Sequence, residues 1–395
     1  MRKTLYGMLM LVLLLPILAA CGGGTAGTGA TATAGSDTTS PPPLVTEAPA
    51  SAAPSEIASP EASAAGVTAT AETTETSAAG GANGSDIKVA LVTDVGKVND
   101  GTFNQFAYEG LQRAQEELGI QVDYIETQQP TDYERNLEQF ASQDYNLVIG
   151  VGFLMGEAVQ LVASRHPDVN FAIVDFAYET PPANVKGLVF EEDQAGYLAG
   201  TMAALLTKSN TIGVVGGIEQ VPAVQKFVKG YEAGAKAQKS DITVRSVYLP
   251  SFTDPAAGAE AARSQISDGA DVIFGAGGQT GSGAIQGAAA QGALVIGVDQ
   301  DEYNTTFKGG SVEGADKLVT SAIKRVDNAV FDTIKSAVDG AFSNELYVGN
   351  VANGGIDYAE AHDASATVTA EIKAQVDKIK QGLGDGSIKT NVQVQ

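Results

Sequence analysis

The chain has 395 residues but only one cysteine, no tryptophan and two histidines. A single Cys excludes an internal disulfide and any cysteine-built metal cluster. Basic residues are scarce, with 24 Lys and Arg against 47 Asp and Glu. None falls between Lys3 and Lys88, and no aromatic residue falls between Tyr6 and Phe103. A nucleic-acid binder needs the opposite charge balance, so nucleic acid is not an expected partner, and the acidity reads as solubility. After the first 20 residues no apolar run approaches the ~20 residues that a membrane-spanning helix needs. Catalytic signatures are missing too. Neither G-x-S-x-G nor H-E-x-x-H occurs. His166 precedes Pro167 at a helix end, where a solvated role is the default, and His362 lies near the start of the C-terminal helix. A glycosidase would use two carboxylates, but their separation is not written in a sequence. No enzyme, metal or cofactor is expected.

What is there comes as three kinds of chain. Residues 1–20 read as an export signal: Arg2 and Lys3, then an apolar run from Leu5 to Ile17. Leu18-Ala19-Ala20-Cys21 follows and resembles the lipobox of bacterial lipoproteins, in which the cysteine thiol carries a diacylglyceryl group. Cys21 is therefore the expected lipidation site, which would anchor the chain to the outside of a bacterial cell membrane. Residues 22–85 are Gly, Ala, Thr, Ser and Pro with scattered Glu. Such a stretch cannot bury enough apolar surface to offset its ordering entropy. It reads as a tether, stiffened at Pro41-Pro42-Pro43, with an end-to-end distance of roughly 40–50 Å. Without Arg2 and Lys3 the chain keeps 22 basic against 47 acidic side chains, a charge near −25.

From residue 86 onward, about 310 residues suffice for two packed lobes. Short apolar strands are expected at 87–92, 121–125, 146–150, 170–174, 186–190, 211–215, 242–248, 271–274 and 293–298. Helical patterns lie between them at 102–118, 132–142, 155–165, 193–207, 222–237, 255–268 and 280–291, and again at 315–339 and 366–382. This alternation predicts βαβ units and parallel sheet. The helix 193–207 is nearly apolar throughout, which predicts deep packing, and the rhythm restarts at 211 as a second lobe would. The region 299–362 breaks the rhythm, with extended pieces near 344–350 and 356–358, as segments crossing back between lobes would.

In open α/β sheets ligands bind beyond the carboxyl ends of the strands. Those ends carry Asp94, Asn99, Asp100, Phe103 and Asn104; then GVGFLMG at 150–156; then Asp175 and Phe176. In the second half they carry Phe252 and Asp254, GAGGQTGSG at 275–283, and Asp299 with Gln300 and Asp301. Aromatic faces, carboxylates and open backbone suit a small ligand with a flat ring and hydroxyl groups. Simpler readings stand beside this one. Asp100 would serve equally as a helix N-cap, Phe103 and Phe252 as core, Asp175 and Asp299 as turn caps, and the Gly-rich stretches as packing turns. Neither Gly-rich stretch has the spacing of a dinucleotide or P-loop motif.

Several of these stretches together carry a resemblance. VTDVGKVNDGTFNQFAYEG (92–110), LVIGVGFLMGEAVQLVASRHPDVNFAIVD (147–175), EEDQAGYLAGTMAALLTK (191–208) and IGVVGGIEQVPAVQKFVKGYEAGAKA (212–237) resemble the basic membrane protein family. So do LPSFTDPAAG (249–258), GAGGQTGSGAIQGA (275–288), VIGVDQDE (295–302) and TSAIKRVDNAV (320–330). The family comprises lipoprotein substrate-binding components of ABC importers, best known as purine-nucleoside receptors. The resemblance implies an α/β, type I periplasmic binding protein fold. Its two Rossmann-like lobes have parallel sheets and are joined by a multi-crossover hinge. Lobe 1 would span about 86–192 plus a returning segment near 300–340. Lobe 2 would span about 193–298 plus C-terminal segments.

By the same resemblance Phe103 and Phe252 stack on the two faces of a base. Asp94, Asn104 and Asp175 address the base and nearby polar edges, and Gly278, Asp299 and Lys324 address the ribose. Without the resemblance Lys324 is a solvated charge on the helix 315–339. The family's first-loop pattern, Asp-Asp-Lys-Ser-Phe-Asn, reads Asn99-Asp100-Gly101-Thr102-Phe103-Asn104 here. It keeps the Phe and Asn and drops two charges, so stacking carries over more directly than polar selectivity. The implied partners are a nucleoside, an ABC permease with its cytoplasmic ATPase, and the membrane through the N-terminal lipid, with the protein a monomer. A carrier of a sugar or other small polar solute, a nucleoside sensor and a nucleoside hydrolase are the rival functions.

Overall fold

A computed structural model describes residues 86–394. The export signal read at 1–20, the lipidation site Cys21 and the tether 22–85 lie outside the described residues.

The first strands and helices alternate as β1 (Lys88–Thr93), α1 (Phe103–Leu118), β2 (Gln121–Ile125), α2 (Tyr133–Ala141), β3 (Leu147–Val151), α3 (Gly156–Arg165), β4 (Asn170–Val174) and β5 (Val185–Phe190). The second series runs α4 (Glu192–Leu206), β6 (Thr211–Gly216), α5 (Pro222–Gln238), β7 (Thr243–Tyr248), α6 (Pro255–Ser267), β8 (Val272–Ala276), α7 (Gly278–Ala289) and β9 (Leu294–Asp299). The chain closes with β10 (Leu318–Lys324), α8 (Val326–Val338), β11 (Tyr347–Gly349), β12 (Ile356–Tyr358) and α9 (Ala370–Gly384).

Two six-stranded sheets result, in the orders β11-β5-β4-β3-β1-β2 and β12-β10-β9-β8-β6-β7. All pairings are parallel except β10 with β12, where Ala322 lies opposite Tyr358 and Lys324 opposite Ile356. The central strands β1, β3, β4, β8 and β9 are almost wholly buried, as strands covered on both faces must be. Helices α2 and α3 cover one face of the first sheet, with Leu137, Val159 and Phe171 among the residues of that core. Helices α6 and α7 do the same for the second, around Ala262, Ile273 and Ile285. On the other faces α1 packs on α8 and α4 on α5.

The α4–α5 contact is close because glycines face backbone from both sides. A Cβ on Gly200 would lie 2.0 Å from the Tyr231 carbonyl oxygen, and one on Gly234 would lie 2.1 Å from that of Tyr197. This explains how a helix with twelve buried residues of fifteen fits between a sheet and its neighbour.

One expectation fails here. The helix expected at 315–339 is a short 3₁₀ turn, then strand β10, then helix α8. All seven residues of β10, LVTSAIK, are buried, so no polar face marks a period of two, and their run reads on into the helical pattern of 326–338. The same segment corrects the expected lobe boundary. β10 completes the second sheet, and what returns to the first lobe is α8 with β11. The chain therefore passes between lobes three times: from β5 to α4, from β10 to α8, and from β11 to β12. Among the described residues no helix is long and apolar enough to cross a membrane.

Candidate functional site

The strand ends of both sheets converge on one cavity, where residues of both lobes meet. Asp94, Phe103, Asn104, Asp175, Phe252, Gly278, Asp299 and Lys324 all line it. Phe103 and Phe252 are half-buried and come from opposite lobes, Phe103 opening α1 and Phe252 following β7.

At one end lies the first loop. Asn104 Nδ2 donates to Asp94 Oδ1 at 3.0 Å and to Asp100 Oδ2 at 3.1 Å. The Asp100 carboxylate also accepts from the backbone N–H groups of Thr102, Asn104 and Gln105. It thus caps the start of α1, and its oxygens are committed to the protein. Asn104 Oδ1, by contrast, is buried and accepts no hydrogen bond among the described residues. Burial pushes the Asp94 carboxyl up to about 7. The Asn104 hydrogen bond opposes that rise, and the nearby Asp100 and Asp175 add to it. Gly152 must stay a glycine: its φ is +120°, and a Cβ would lie 2.6 Å from Asp94 Oδ2.

At the other end stands Lys324, the last residue of β10 rather than a solvated helix charge, and 1% exposed. Its Nζ donates to Asp175 Oδ2 at 2.8 Å and has Glu192 at 3.6 Å and Asp299 at 3.8 Å. The Phe103 ring lies 4.7 Å from the same nitrogen. Burial works against this ammonium, but Asp175, Asp299 and Glu192 together outweigh it and hold its proton more tightly than in an ordinary lysine. Three buried carboxylates share two cations, Lys324 and Lys226. Burial accordingly raises Asp175, and Asp299 up to about 7, with Lys324 opposing in both cases. Asp175 Oδ1 and Asp299 Oδ1 are buried and accept no hydrogen bond among the described residues. Neither aspartate caps a turn. Among the described residues no group of three or more His, Cys, Asp or Glu could hold a metal ion.

The Gly-rich stretch 275–283 is not a loop: β8 ends at Ala276 and α7 begins at Gly278. Its glycines admit close packing, as at Gly283, where a Cβ would lie 2.2 Å from the Pro255 carbonyl oxygen. The apolar wall formed by Val221, Val224 and Phe227 was missed by sequence reasoning. It follows β6, the sixth strand, through a turn whose polar residues, Glu219 and Gln220, are exposed. The usable signal was its position at another strand-to-helix turn.

The family described as ABC transporter substrate-binding protein PnrA-like matches residues 87–388. The chain belongs to this Bmp family. The Bmp chain is 37% identical over 317 residues to the ABC transporter nucleoside-binding protein BmpA of Lactococcus lactis subsp. cremoris. That alignment covers 77% of this chain and 88% of the relative. Among solved structures it is similar to an ABC transporter solute-binding protein from Aeropyrum pernix K1. There the identity is 27% and the TM-score 0.68, over 77% of this chain and 92% of that one. A second, from Conexibacter woesei, has 30% identity and a TM-score of 0.62, over 77% and 98%. The fold is thus the type I periplasmic binding protein fold, and the Bmp family is one of solute-binding proteins rather than enzymes.

Proposed function

We propose that this Bmp chain captures a nucleoside, a purine nucleoside foremost, in the cleft between its lobes and delivers it to the permease of an ABC importer. Lipid on Cys21 holds it at the outer face of the membrane, and residues 22–85 give it reach. The permease's cytoplasmic ATPase supplies the energy.

One observation carries the ligand. The cavity joins two aromatic rings from opposite lobes to a separate cluster in which Lys324 stands beside two buried carboxylate oxygens without hydrogen-bond donors. In this reading a planar base lies between the rings of Phe103 and Phe252. Asp94 and Asn104 meet its polar edge. A sugar diol supplies the donors that Asp175 Oδ1 and Asp299 Oδ1 lack, and Gly278 admits it closely. In this reading the ion pair to Lys324 assigns Asp175 to the sugar rather than to the base. The lobes close because ligand adds contacts in the closed state. The name of the Lactococcus relative supports the same class.

A thermal-shift screen of the full chain against nucleosides, free bases, sugars and amino acids tests this. A ligand at 100 times its dissociation constant adds about 2.7 kcal/mol. Purine ribonucleosides should give the largest shift. A response to sugars alone would overturn the reading.

A further inference from the structure

Glu192 does not line the cavity, yet it is 1% exposed and stands directly behind Lys324. It opens α4, two residues after β5 ends, at the first passage between the lobes. Its Oε1 lies 3.6 Å from Lys324 Nζ, and its Oε2 accepts from Lys226 Nζ at 3.0 Å. Lys226 belongs to α5 and also donates to the Phe190 carbonyl oxygen, at the end of β5, at 2.6 Å. A chain of charge therefore runs Lys226, Glu192, Lys324, and then Asp175 and Asp299. It touches both lobes and two of the three passages between them.

A lysine ammonium on a four-carbon stem goes where the surrounding anions hold it. Asp175 and Asp299 draw Lys324 toward the cavity. Glu192 draws it the other way and is itself fixed by Lys226 and by the N-terminal end of α4. The balance is visible in the distances: Lys324 bonds one oxygen of Asp175 and stops 3.8 Å short of Asp299.

We propose that Glu192, seated by Lys226, is a positioning residue that holds the Lys324 ammonium back, leaving Asp175 Oδ1 and Asp299 Oδ1 free for ligand hydroxyls. Loss of the Glu192 charge lets Lys324 collapse onto the two aspartates and fill their acceptor sites. The ligand side of this inference rests on the nucleoside reading above.

The test uses the full chain with Glu192→Gln, Lys226→Met, Lys324→Met and the Glu192→Gln/Lys324→Met pair. Glu192→Gln should lower affinity for a purine ribonucleoside at least tenfold and for the free base less than twofold. Lys226→Met should act in the same direction. The double variant should bind no more weakly than Lys324→Met alone, because Glu192 acts through Lys324. A second readout needs no ligand: acetylation by acetic anhydride, read by mass spectrometry at Lys324 relative to the exposed Lys378. It should fall at least threefold in Glu192→Gln, because an ammonium drawn onto both Asp175 and Asp299 holds its proton more tightly and is less open to the reagent. If the unsubstituted chain binds no nucleoside, the function fails, but this readout still decides the positioning. Unchanged acetylation at Lys324 in both single variants overturns the inference, as do additive losses in the double variant or equal loss of free-base binding. If Glu192→Gln does not fold, Lys226→Met carries the same comparisons.

Discussion

Asp175 and Asp299 occupy matching places in the two lobes. Each stands at the carboxyl end of the third strand of its sheet, β4 or β9, and each has left-handed backbone, with φ of 68° and 65°. That conformation costs a non-glycine residue about 1–3 kcal/mol. From opposite sides of the cleft the two carboxylates face one lysine, at 2.8 and 3.8 Å from Lys324 Nζ.

Phe103 begins α1, and its half-buried ring lines the cavity while also packing against the core. Phe103→Ala should weaken nucleoside binding by about 1–3 kcal/mol, the scale of base–aromatic stacking, with little change in the unfolding midpoint. Titration calorimetry and urea unfolding on the same samples check both halves. A variant that unfolds readily yet binds normally would make the ring a core residue.

Two hydrogen bonds tie the segment after β9 to the loop before α1. Gln300 Nε2 donates to the Thr102 carbonyl oxygen at 3.1 Å, and Thr305 Oγ1 to that of Gly101 at 2.7 Å. Each should contribute about 0.5–1.5 kcal/mol to the closed state. Gln300→Ala and Thr305→Val should each raise Kd severalfold, mainly through faster dissociation. Stopped-flow release of a fluorescent nucleoside measures this; an unchanged off-rate would mean that the two bonds persist in the open form.

Asp94, Asp299 and Glu302 are each pushed up to about 7, chiefly by burial. An unfolded carboxyl titrates near 4, so between about pH 4 and 7 the folded state binds more protons than the unfolded one. Stability without ligand should therefore be greatest on the acid side of this window and fall as pH rises through 7, as far as these three groups govern it. Asp94→Asn removes one of them. Its melting temperature should depend less steeply on pH from 5 to 8 than that of the unsubstituted chain, and parallel curves would refute the assignment.

Gly200 sits where α4 crosses α5. A methyl group there has no room against the Tyr231 carbonyl oxygen. Gly200→Ala should cost about 1–3 kcal/mol, the usual penalty for overpacking, read from the urea midpoint. A midpoint equal to that of the parent would show that the helices separate without penalty.

Much of this was legible in the residues themselves. The strands at 121–125 and 170–174 match the structure residue for residue: Gly119 ends the helix before the first, and Asp168 and Asp175 bracket the second. The polar and aromatic residues past the strand ends were legible because parallel sheet puts every strand exit on one edge. What the chain's own pattern withheld was Lys324. Its segment has no exposed face, so period carried no information, and a lysine in it looked like a solvated charge.

The sequence by itself thus determined the alternation of strand and helix, the restart at the second lobe and the residues that could face a ligand, since all three follow from local spacing. Only tertiary structure decided that β10 joins the second sheet, that Glu192 and Lys226 stand behind Lys324, and that Val221, Val224 and Phe227 complete the cavity. Those facts depend on contacts between segments more than 20 residues apart, such as Leu318 with Val295, Glu192 with Lys226 and Asp175 with Lys324. Charge burial, unlike strand period, is set by what the rest of the chain brings alongside.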